Sequence, residues 1–344
     1  MVIIGAGIAG VSATGALRSA GYDGEIVVVG DEPELPYRRP PVSKEIVRGD
    51  KDADEIRIKK AAWYDDQQIE LRTGVRVESI DVGATALVLE TGETLTYDRL
   101  LIATGGRARN PWSAAGAHTL RNLADVPTLH KELMAGSPVV VVGAGLIGSE
   151  IAASARELGC PVTLLESAAL PLPKLLPAEL GQMYLDLHRD RGTDLHTDVT
   201  VSSIRDVDGS TVVEAADGRS WTAPVVVVAV GMEPHVELAE AAGIAIASAA
   251  DGGGILVDEH GRTSVAGVYA AGDVANQPHP VLGGRHRVEH WQGAQNHGAA
   301  VGKIMAGGDA PFVEVPWCWS DQYGANLQVV GWPEAGHEPS STDH

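Results

Sequence analysis

The sequence has little cysteine, with two residues in a chain of 344. Cys160 and Cys318 lie far apart, and neither belongs to a CxxC or CxxxxC pair. This spacing excludes a disulfide framework, a cysteine-held iron–sulfur cluster and a structural zinc site. The twelve histidines are spread along the chain without an HExxH motif, so no metal is expected.

Positive charge and long hydrophobic runs are also scarce. Lysine and arginine number 26 against 46 aspartates and glutamates, a formal net charge of −20. A phosphate backbone would be repelled by this charge, which argues against nucleic acid as a partner. Residues 223–232 form one of the longest apolar runs, well short of the roughly 18 residues of a membrane span. The apolar N-terminus has no cation before Arg18, so we expect no signal peptide, no membrane segment and a cytoplasmic location.

The first thirty residues follow the order of a dinucleotide-binding unit. Val2–Ile4 predicts a strand buried on both faces. Three glycines follow it in the spacing GxGxxG: Gly5, Gly7 and Gly10. Residues 11–20 predict a helix, and residues 26–29 predict a second strand that ends before Asp31 and Glu32. The first glycine makes the turn, the second admits a pyrophosphate, the third lets the helix pack on the strand, and an acid binds the ribose.

The same pattern recurs in the middle of the chain. Residues 139–142 predict a strand, residues after 148 a helix through 158, and residues 162–165 a strand ending at Glu166. The glycines between the first strand and the helix are Gly143, Gly145 and Gly148. Two complete fingerprints predict two bound dinucleotides, and a nicotinamide beside a flavin is the pairing that transfers electrons.

The second acid favours NADH over NADPH. Glu166 would accept hydrogen bonds from the ribose 2′-hydroxyl, and residues 167–170 offer no cation for a 2′-phosphate. The alternative is a cation that reaches in from elsewhere, such as Arg189 or Arg191.

Three further apolar runs end in small residues. They cover residues 97–102, 225–230 and 267–271, and each predicts a strand. Ligands of open α/β sheets collect at the carboxyl ends of strands. The candidate contacts there are Ala103, Thr104, Gly105, Gly231, Gly272 and Asp273. Any one of them taken alone could equally be a plain turn.

Several stretches resemble the FAD-dependent, NAD(P)H-using ferredoxin reductases of Rieske-type dioxygenase and cytochrome P450 systems, within the glutathione-reductase-like class of flavoproteins. Besides the first glycine motif, the matching stretches are PYRRPPVSK at 36–44, ATGG at 103–106, GAGLIGSE at 143–150, AAGD at 270–273, RVEHW at 287–291 and WSDQY at 319–323. They extend from residue 1 to about 332. The PPVSK, VEHWQGAQNHG and WSDQY stretches are the most specific of them.

The resemblance implies an α/β fold with two Rossmann-like domains, one for FAD and one for NAD. A small C-terminal α+β interface domain follows, which looks foreshortened because the family normally has a longer one. We expect the FAD domain over residues 1–110 and 233–310, the NAD domain over 111–232 and the start of the interface domain over 311–344. A monomer or a homodimer is expected.

The resemblance also implies roles for individual residues. Lys44 would lie by the flavin ring and pair with Glu150, and these two are the candidate catalytic residues. Asp273 would accept a hydrogen bond from the flavin ribityl chain, and Arg38 or Arg39 would meet the FAD pyrophosphate. The other cofactor contacts that the resemblance adds are Ile8, Ala9, Pro40, Arg121, Leu146, Ile147, Glu289, His290 and Trp291. The competing interpretation is a solvated lysine in a polar loop for Lys44, a charge in the first turn of the helix for Glu150, and core packing for Trp291.

Disulfide reductases of this class carry a redox-active cysteine pair in the stretch that matches residues 40–48, where this chain has none. The resemblance therefore implies an NADH:ferredoxin oxidoreductase that uses FAD and supplies a [2Fe–2S] ferredoxin of an oxygenase. An NADH oxidase or quinone reductase remains an alternative, and so does a flavoprotein of the apoptosis-inducing type that acts by binding a partner. Because ferredoxins are usually acidic, docking needs a local cationic face. The densest cations lie at 38–39, 107–109 and 285–287, and Trp317 and Trp319 are further candidates.

Overall fold

The structure is a computed structural model that describes residues 1–112 and 116–331. Its strands, numbered in chain order, are β1 Val2–Ile4, β2 Ile26–Val29, β3 Ile69–Arg72, β4 Val77–Asp81, β5 Ala86–Leu89, β6 Thr94–Thr96, β7 Leu100–Ile102, β8 Gly106–Ala108, β9 Ala117–His118, β10 Val139–Val142, β11 Val162–Leu165, β12 Asp194–His196, β13 Val201–Val207, β14 Ser210–Ala215, β15 Ser220–Ala223, β16 Val225–Val228, β17 Met232–Pro234, β18 Ile255–Leu256, β19 Val268–Ala270, β20 Ala275–Pro278, β21 Arg285–His286, β22 Trp317–Gln322 and β23 Ala325–Val330.

The helices are α1 Ile8–Ser19, α2 Glu45–Arg48, α3 Ala61–Asp66, α4 Val126–Met134, α5 Leu146–Glu157, α6 Ala178–Asp190, α7 Glu237–Ala241 and α8 Trp291–Met305. Short 3₁₀ turns cover Pro40–Ser43, Leu123–Asp125, Ala249–Asp251 and Gly272–Val274. Within the described ranges, no helix is long and apolar enough to cross a membrane.

The chain forms two compact units. The first contains residues 1–38, 56–107 and 234–318, and the second contains 39–55, 108–233 and the residues from 319 onward. Residues 332–344, the last part of the expected interface domain, lie outside the described residues.

The first unit is built on a five-stranded parallel sheet in the order β19-β7-β1-β2-β3. Its strands are short apolar runs because both faces are covered. Ile3 belongs to the core that contains α1 and α8, while Val2 and Ile4 belong to the core on the other face. Helices α1 and α8 approach closely, since a Cβ at Gly298 would lie 2.1 Å from the Ala9 carbonyl oxygen. This sheet and its helices form the first of the two predicted Rossmann-like folds.

The second unit repeats the plan with the parallel sheet β12-β11-β10-β16-β9. Four consecutive valines form β10 and four more form β16, and all eight are buried. An antiparallel sheet, β13-β14-β15, covers one face of this sheet and shares its core. The expected α/β class with two Rossmann-like folds is therefore confirmed.

Candidate functional site

The first glycine turn lies at the carboxyl end of β1. Gly5 has a φ of +108°, and a Cβ there would lie 2.2 Å from the Ala103 carbonyl oxygen, so only glycine fits. A Cβ at Gly10 would lie 2.0 Å from the Gly5 carbonyl oxygen, which explains the close contact of α1 with the turn. At Gly7, in contrast, an added Cβ would have no neighbour within 4 Å among the described residues.

The second glycine turn has the same geometry at the carboxyl end of β10. Gly143 has a φ of +100°, and its Cβ would lie 2.5 Å from the Ala229 carbonyl oxygen. A Cβ at Gly148 would lie 1.9 Å from the Gly143 carbonyl oxygen, whereas Gly145 again faces open space. Each turn thus has a first and a third glycine that packing requires, and a middle glycine that leaves room for a ligand.

The residues at both turns fit a dinucleotide pyrophosphate. Gly7 and Gly145 are the N-caps of α1 and α5, and neither helix has a side-chain cap or an acidic residue in its first turn. The backbone N–H groups of these turns, which include the candidates Ile8, Ala9, Leu146 and Ile147, are thus available to an anion, and the helix dipole favours one. A cradle open at the middle glycine is what the close approach of a pyrophosphate requires.

Other predicted contacts of the first unit lie at neighbouring strand ends. Ala103 follows β7 and donates its N–H to the Ile4 carbonyl at 2.7 Å. Thr104 and Gly105 come next, and the Thr104 hydroxyl donates to the His235 carbonyl at 2.9 Å. Because β7, β1 and β19 are adjacent and parallel, these residues, the Gly5 turn and the Gly272–Asp273 turn share one edge of the sheet.

The Gly272–Asp273 turn is held from two sides. The Gly272 N–H donates to His297 Nδ1 at 3.3 Å, and Arg287 donates to the Asp273 carbonyl at 3.1 Å. Arg287 also pairs with Glu289 at 2.7 Å. His290 and Trp291 follow directly, with His290 as the N-cap of α8. Burial lowers the pKa of His290, so it is neutral at neutral pH.

The acids that follow the second strands differ between the units. In the first unit Asp31 is exposed, and Glu32 accepts a hydrogen bond from the Tyr37 hydroxyl. In the second unit the Glu166 carboxylate is buried and accepts from the Ala144 N–H at 2.7 Å and the Ala168 N–H at 2.8 Å. Glu166 therefore fixes the glycine turn as well as being available for a ribose hydroxyl.

The two arginines considered as sources of a 2′-phosphate cation have other partners. Arg189 donates to the Leu195 carbonyl at 3.2 Å, and the Arg191 guanidinium lies 5.7 Å from the centre of the Tyr323 ring. These contacts favour NADH, in line with the prediction from Glu166.

Lys44 and Glu150 form a buried ion pair inside the second unit. The Lys44 Nζ lies 2.9 Å from Glu150 Oε2, and the two side chains are 9% and 4% exposed. Ser43 donates to the same oxygen, and the Ser320 hydroxyl donates to Glu150 Oε1 at 2.7 Å. The interpretation of Lys44 as a solvated lysine is wrong, because its side chain is buried and paired with Glu150.

Cationic residues considered for docking divide into two groups. Arg285 and Arg287 donate to backbone carbonyls of the first unit, so both have structural roles. Arg107 and Arg109 lie on the surface, where Arg107 pairs with Glu237 at 2.5 Å and Arg109 lies 4.0 Å from Glu233.

Arg39, predicted to contact the FAD pyrophosphate, is hydrogen-bonded to residues of the second unit. It donates to the Arg121 carbonyl at 2.9 Å and to the Asn122 side chain, within the second unit. Pro40 follows it as the first residue of a 3₁₀ turn. Their contact with a cofactor, like that of Arg121, stays a prediction.

Neither cysteine has the environment of a redox-active thiol. Cys160 is fully buried and its thiol donates to the Leu133 carbonyl at 3.2 Å, and burial raises its pKa. Cys318 is also buried and is not part of a disulfide. A reactive cysteine needs a lowered pKa and access, so neither residue supports thiol chemistry.

Sequence reasoning missed the serines that bind Glu150. Ser43 and Ser320 lie inside stretches that were singled out as specific, PPVSK and WSDQY, but no spacing connects either serine with Glu150. The buried His188 was missed altogether, because its partners lie 134 and 135 positions away.

Two dinucleotide turns, each at the carboxyl edge of its own parallel sheet, define an oxidoreductase of the two-dinucleotide class. Residues 1–298 match the family described as pyridine nucleotide-disulphide oxidoreductase, and the chain belongs to it.

Within this family, the chain is similar to several ferredoxin reductases. The chain is 41% identical over 339 residues to the ferredoxin–NAD(+) reductase component of the anthranilate 1,2-dioxygenase system of Burkholderia cepacia, which covers 97% of this chain and 82% of that protein. The ferredoxin reductase for the CYP199A2 system of Rhodopseudomonas palustris has a TM-score of 0.90 at 35% identity, covering 96% of this chain and 82% of that one. The covalent putidaredoxin reductase–putidaredoxin complex matches with a TM-score of 0.89 at 33% identity, covering 96% and 81%.

Proposed function

We propose that the chain is an NADH:ferredoxin oxidoreductase that uses FAD and supplies electrons to a [2Fe–2S] ferredoxin of an oxygenase system. Bound FAD supplies the chemistry by taking a hydride from NADH and giving up electrons one at a time. The observation that carries the proposal is the pair of open glycine turns, at Gly7 and Gly145, in a chain whose two cysteines are both buried. The similarity to ferredoxin–NAD(+) reductase components supports the same conclusion.

The two turns have separate tasks in this proposal. The Gly5–Gly10 turn and the strand-end residues of the first unit bind FAD, with Asp273 accepting from the ribityl chain. The Gly143–Gly148 turn binds NADH, with Glu166 at the ribose and Gly231 at the neighbouring strand end. The FAD domain over 1–110 and 233–310, the NAD domain over 111–232 and an interface domain from 311 are part of the proposal.

Lys44 and Glu150 act as one unit. A cation at Lys44 Nζ stabilises negative charge on a reduced ring, and the carboxylate, which has three side-chain donors, keeps the lysine in one place. Because the pair is buried, its charges are weakly screened and its geometry is well defined. We assign Lys44 to the flavin side and Glu150 to the holding of Lys44.

Ferredoxin docking and location complete the proposal. A net charge of −20 repels an acidic ferredoxin overall, so a local cationic patch must guide the encounter. Arg107 and Arg109 suit this task because their side chains lie on the surface and are 48% and 55% exposed. A cytoplasmic location fits two cysteines that do not form a disulfide.

An anaerobic titration tests the proposal. The purified protein should carry FAD, and stoichiometric NADH should bleach its flavin absorbance faster than NADPH does. Faster bleaching by NADPH would contradict the role of Glu166, and no bleaching by either would contradict the proposed function.

A further inference from the structure

A chain of buried hydrogen bonds ends on the Glu150 carboxylate. Beyond Ser320, the Gln322 amide donates to the Ser320 hydroxyl at 3.1 Å, and His188 Nε2 lies 3.0 Å from Gln322 Oε1. The Tyr323 hydroxyl lies 3.1 Å from His188 Nδ1. All of these residues are less than 9% exposed and belong to the second unit. Three elements meet here, since Glu150 lies on α5, His188 on α6 and the other residues on or just after β22.

The direction of every hydrogen bond follows from the charge at one end. Glu150 is paired with Lys44, so its ionised carboxylate only accepts. Ser320 must then donate to Glu150 and accept from the Gln322 NH₂ group. This leaves the Gln322 carbonyl oxygen as an acceptor that faces His188.

The imidazole continues the same direction. Burial lowers the pKa of His188 to about 4, against a smaller opposing effect of its hydrogen bond to Gln322, so the ring is neutral at neutral pH. Its proton lies on Nε2, because Gln322 offers an acceptor there, and Nδ1 accepts from the Tyr323 hydroxyl. Thr193 completes the series by donating to Tyr323 at 2.8 Å. All donors point toward Glu150, and aligned hydrogen bonds of this kind strengthen one another.

Apolar packing already holds the β22–β23 hairpin in place. Leu327 packs with Leu172 and Leu176 in a separate cluster, with Val329 at its edge. Burying a row of polar groups costs desolvation free energy that apolar residues would avoid, so such a row specifies a geometry more than it stabilises the fold.

We propose that Ser320, Gln322, His188 and Tyr323 form a positioning chain that fixes the Glu150 carboxylate, and through it Lys44, in the arrangement that NADH oxidation requires. This inference rests on the proposed function of the Lys44–Glu150 pair. The four residues are positioning residues, because they act through Glu150. The Trp319–Tyr323 stretch thereby gains a role in flavin reduction beyond that of a packed hairpin.

The test compares Ser320→Ala with a matched control, Ser149→Ala. Ser149 is the buried residue immediately before Glu150 on α5, and its hydroxyl has no hydrogen-bond partner in the part of the chain that the structure describes. In the FAD-loaded enzyme, single-turnover reduction is measured against NADH concentration. We expect Ser320→Ala to lower the limiting rate about tenfold, with little change in the half-saturating NADH concentration. Ser149→Ala should leave both values unchanged.

A second pair of variants tests whether the distal hydroxyl of the positioning chain influences flavin reduction through Ser320. Tyr323→Phe removes only the distal hydroxyl and should lower the limiting rate about threefold when Ser320 is present. In the Ser320→Ala background the same change should have no further effect on that rate. If the two substitutions lower the limiting rate independently, so that their effects multiply in the double variant, the proposed positioning chain is contradicted.

A readout independent of turnover is the histidine tautomer. Nitrogen NMR of the FAD-loaded protein with labelled histidine, assigned by the signal lost in His188→Gln, should show neutral His188 protonated on Nε2. A proton on Nδ1 would overturn the proposed direction. If the wild type fails to react with NADH, the proposed function fails; if it reacts and Ser320→Ala equals Ser149→Ala, only the positioning chain fails.

Discussion

Replacing Lys44 by methionine removes the cation from a carboxylate that remains buried. Methionine keeps the length and the apolar stem of the lysine, so the change mainly deletes one charge. Glu150 is 3% exposed and, among the residues that the structure describes, would keep Ser43 and Ser320 as its hydrogen-bond donors. Breaking a buried ion pair by removal of one partner costs about 3–5 kcal/mol, because the remaining charge has no compensation.

The double variant Lys44→Met/Glu150→Gln separates pairing from packing. It removes both charges and leaves a neutral amide that the two serines still contact. We expect it to cost less than Lys44→Met alone, because replacing a whole buried pair by neutral groups is often close to neutral in free energy.

Hydrogen exchange of α5 amides measures these costs, since it reports the opening of the second unit separately from the first. For Lys44→Met, 3–5 kcal/mol corresponds to exchange faster by about 150- to 5000-fold. The double variant should exchange more slowly than Lys44→Met. An increase of less than about fivefold, below roughly 1 kcal/mol, would refute the assignment of a buried, uncompensated carboxylate.

Other expectations concern the glycine turn, the buried histidines and the exposed arginines. Gly145→Ala should leave the unfolding free energy within about 1 kcal/mol of the wild-type value, since the φ of −75° at this position suits alanine and the space is open. In a binding titration, the same substitution should raise the Kd for NADH at least about tenfold. His188 and His297 each have a pKa lowered by burial to about 4. In the unfolded chain both histidines take up a proton near about pH 6.5. The free energy of unfolding measured in urea should therefore fall as the pH drops from about 6.5 to 4, by up to about 3 kcal/mol per histidine. His188→Gln should remove its share of that loss. Charge reversal of Arg107 and Arg109 to glutamate should lower kcat/KM for ferredoxin about tenfold at low salt, and less at high salt, with NADH reduction of the flavin unchanged.

The fold could be predicted from the sequence because its strongest signals are local. The valine runs of β10 and β16 and the spacing of glycines in each turn act over a few residues, and the structure places them at sheet edges as expected. The packing roles of the outer glycines were also predictable, since a positive φ with a close approach requires glycine at Gly5 and Gly143, and a close approach alone requires it at Gly10 and Gly148.

Much of the candidate site was not predictable from local patterns. The Lys44–Glu150 pair was expected only from resemblance, because 106 positions separate the two residues. The Ser320–Gln322–His188 series depends on where β22 meets α6, and a buried histidine gives no sequence signal that distinguishes it from a surface one. Arg285 and Arg287 looked like docking cations, but the structure uses them to bind backbone carbonyls.

Electron acceptor preference is the most direct measure of ferredoxin reductase activity. The protein is reduced anaerobically by NADH and then mixed with a [2Fe–2S] ferredoxin of a dioxygenase system, oxygen or a quinone in separate stopped-flow experiments. Ferredoxin should reoxidise the flavin faster than either small acceptor. Reoxidation by oxygen or quinone as fast as by any ferredoxin, or reduced flavin that persists with all three, would contradict the proposed function.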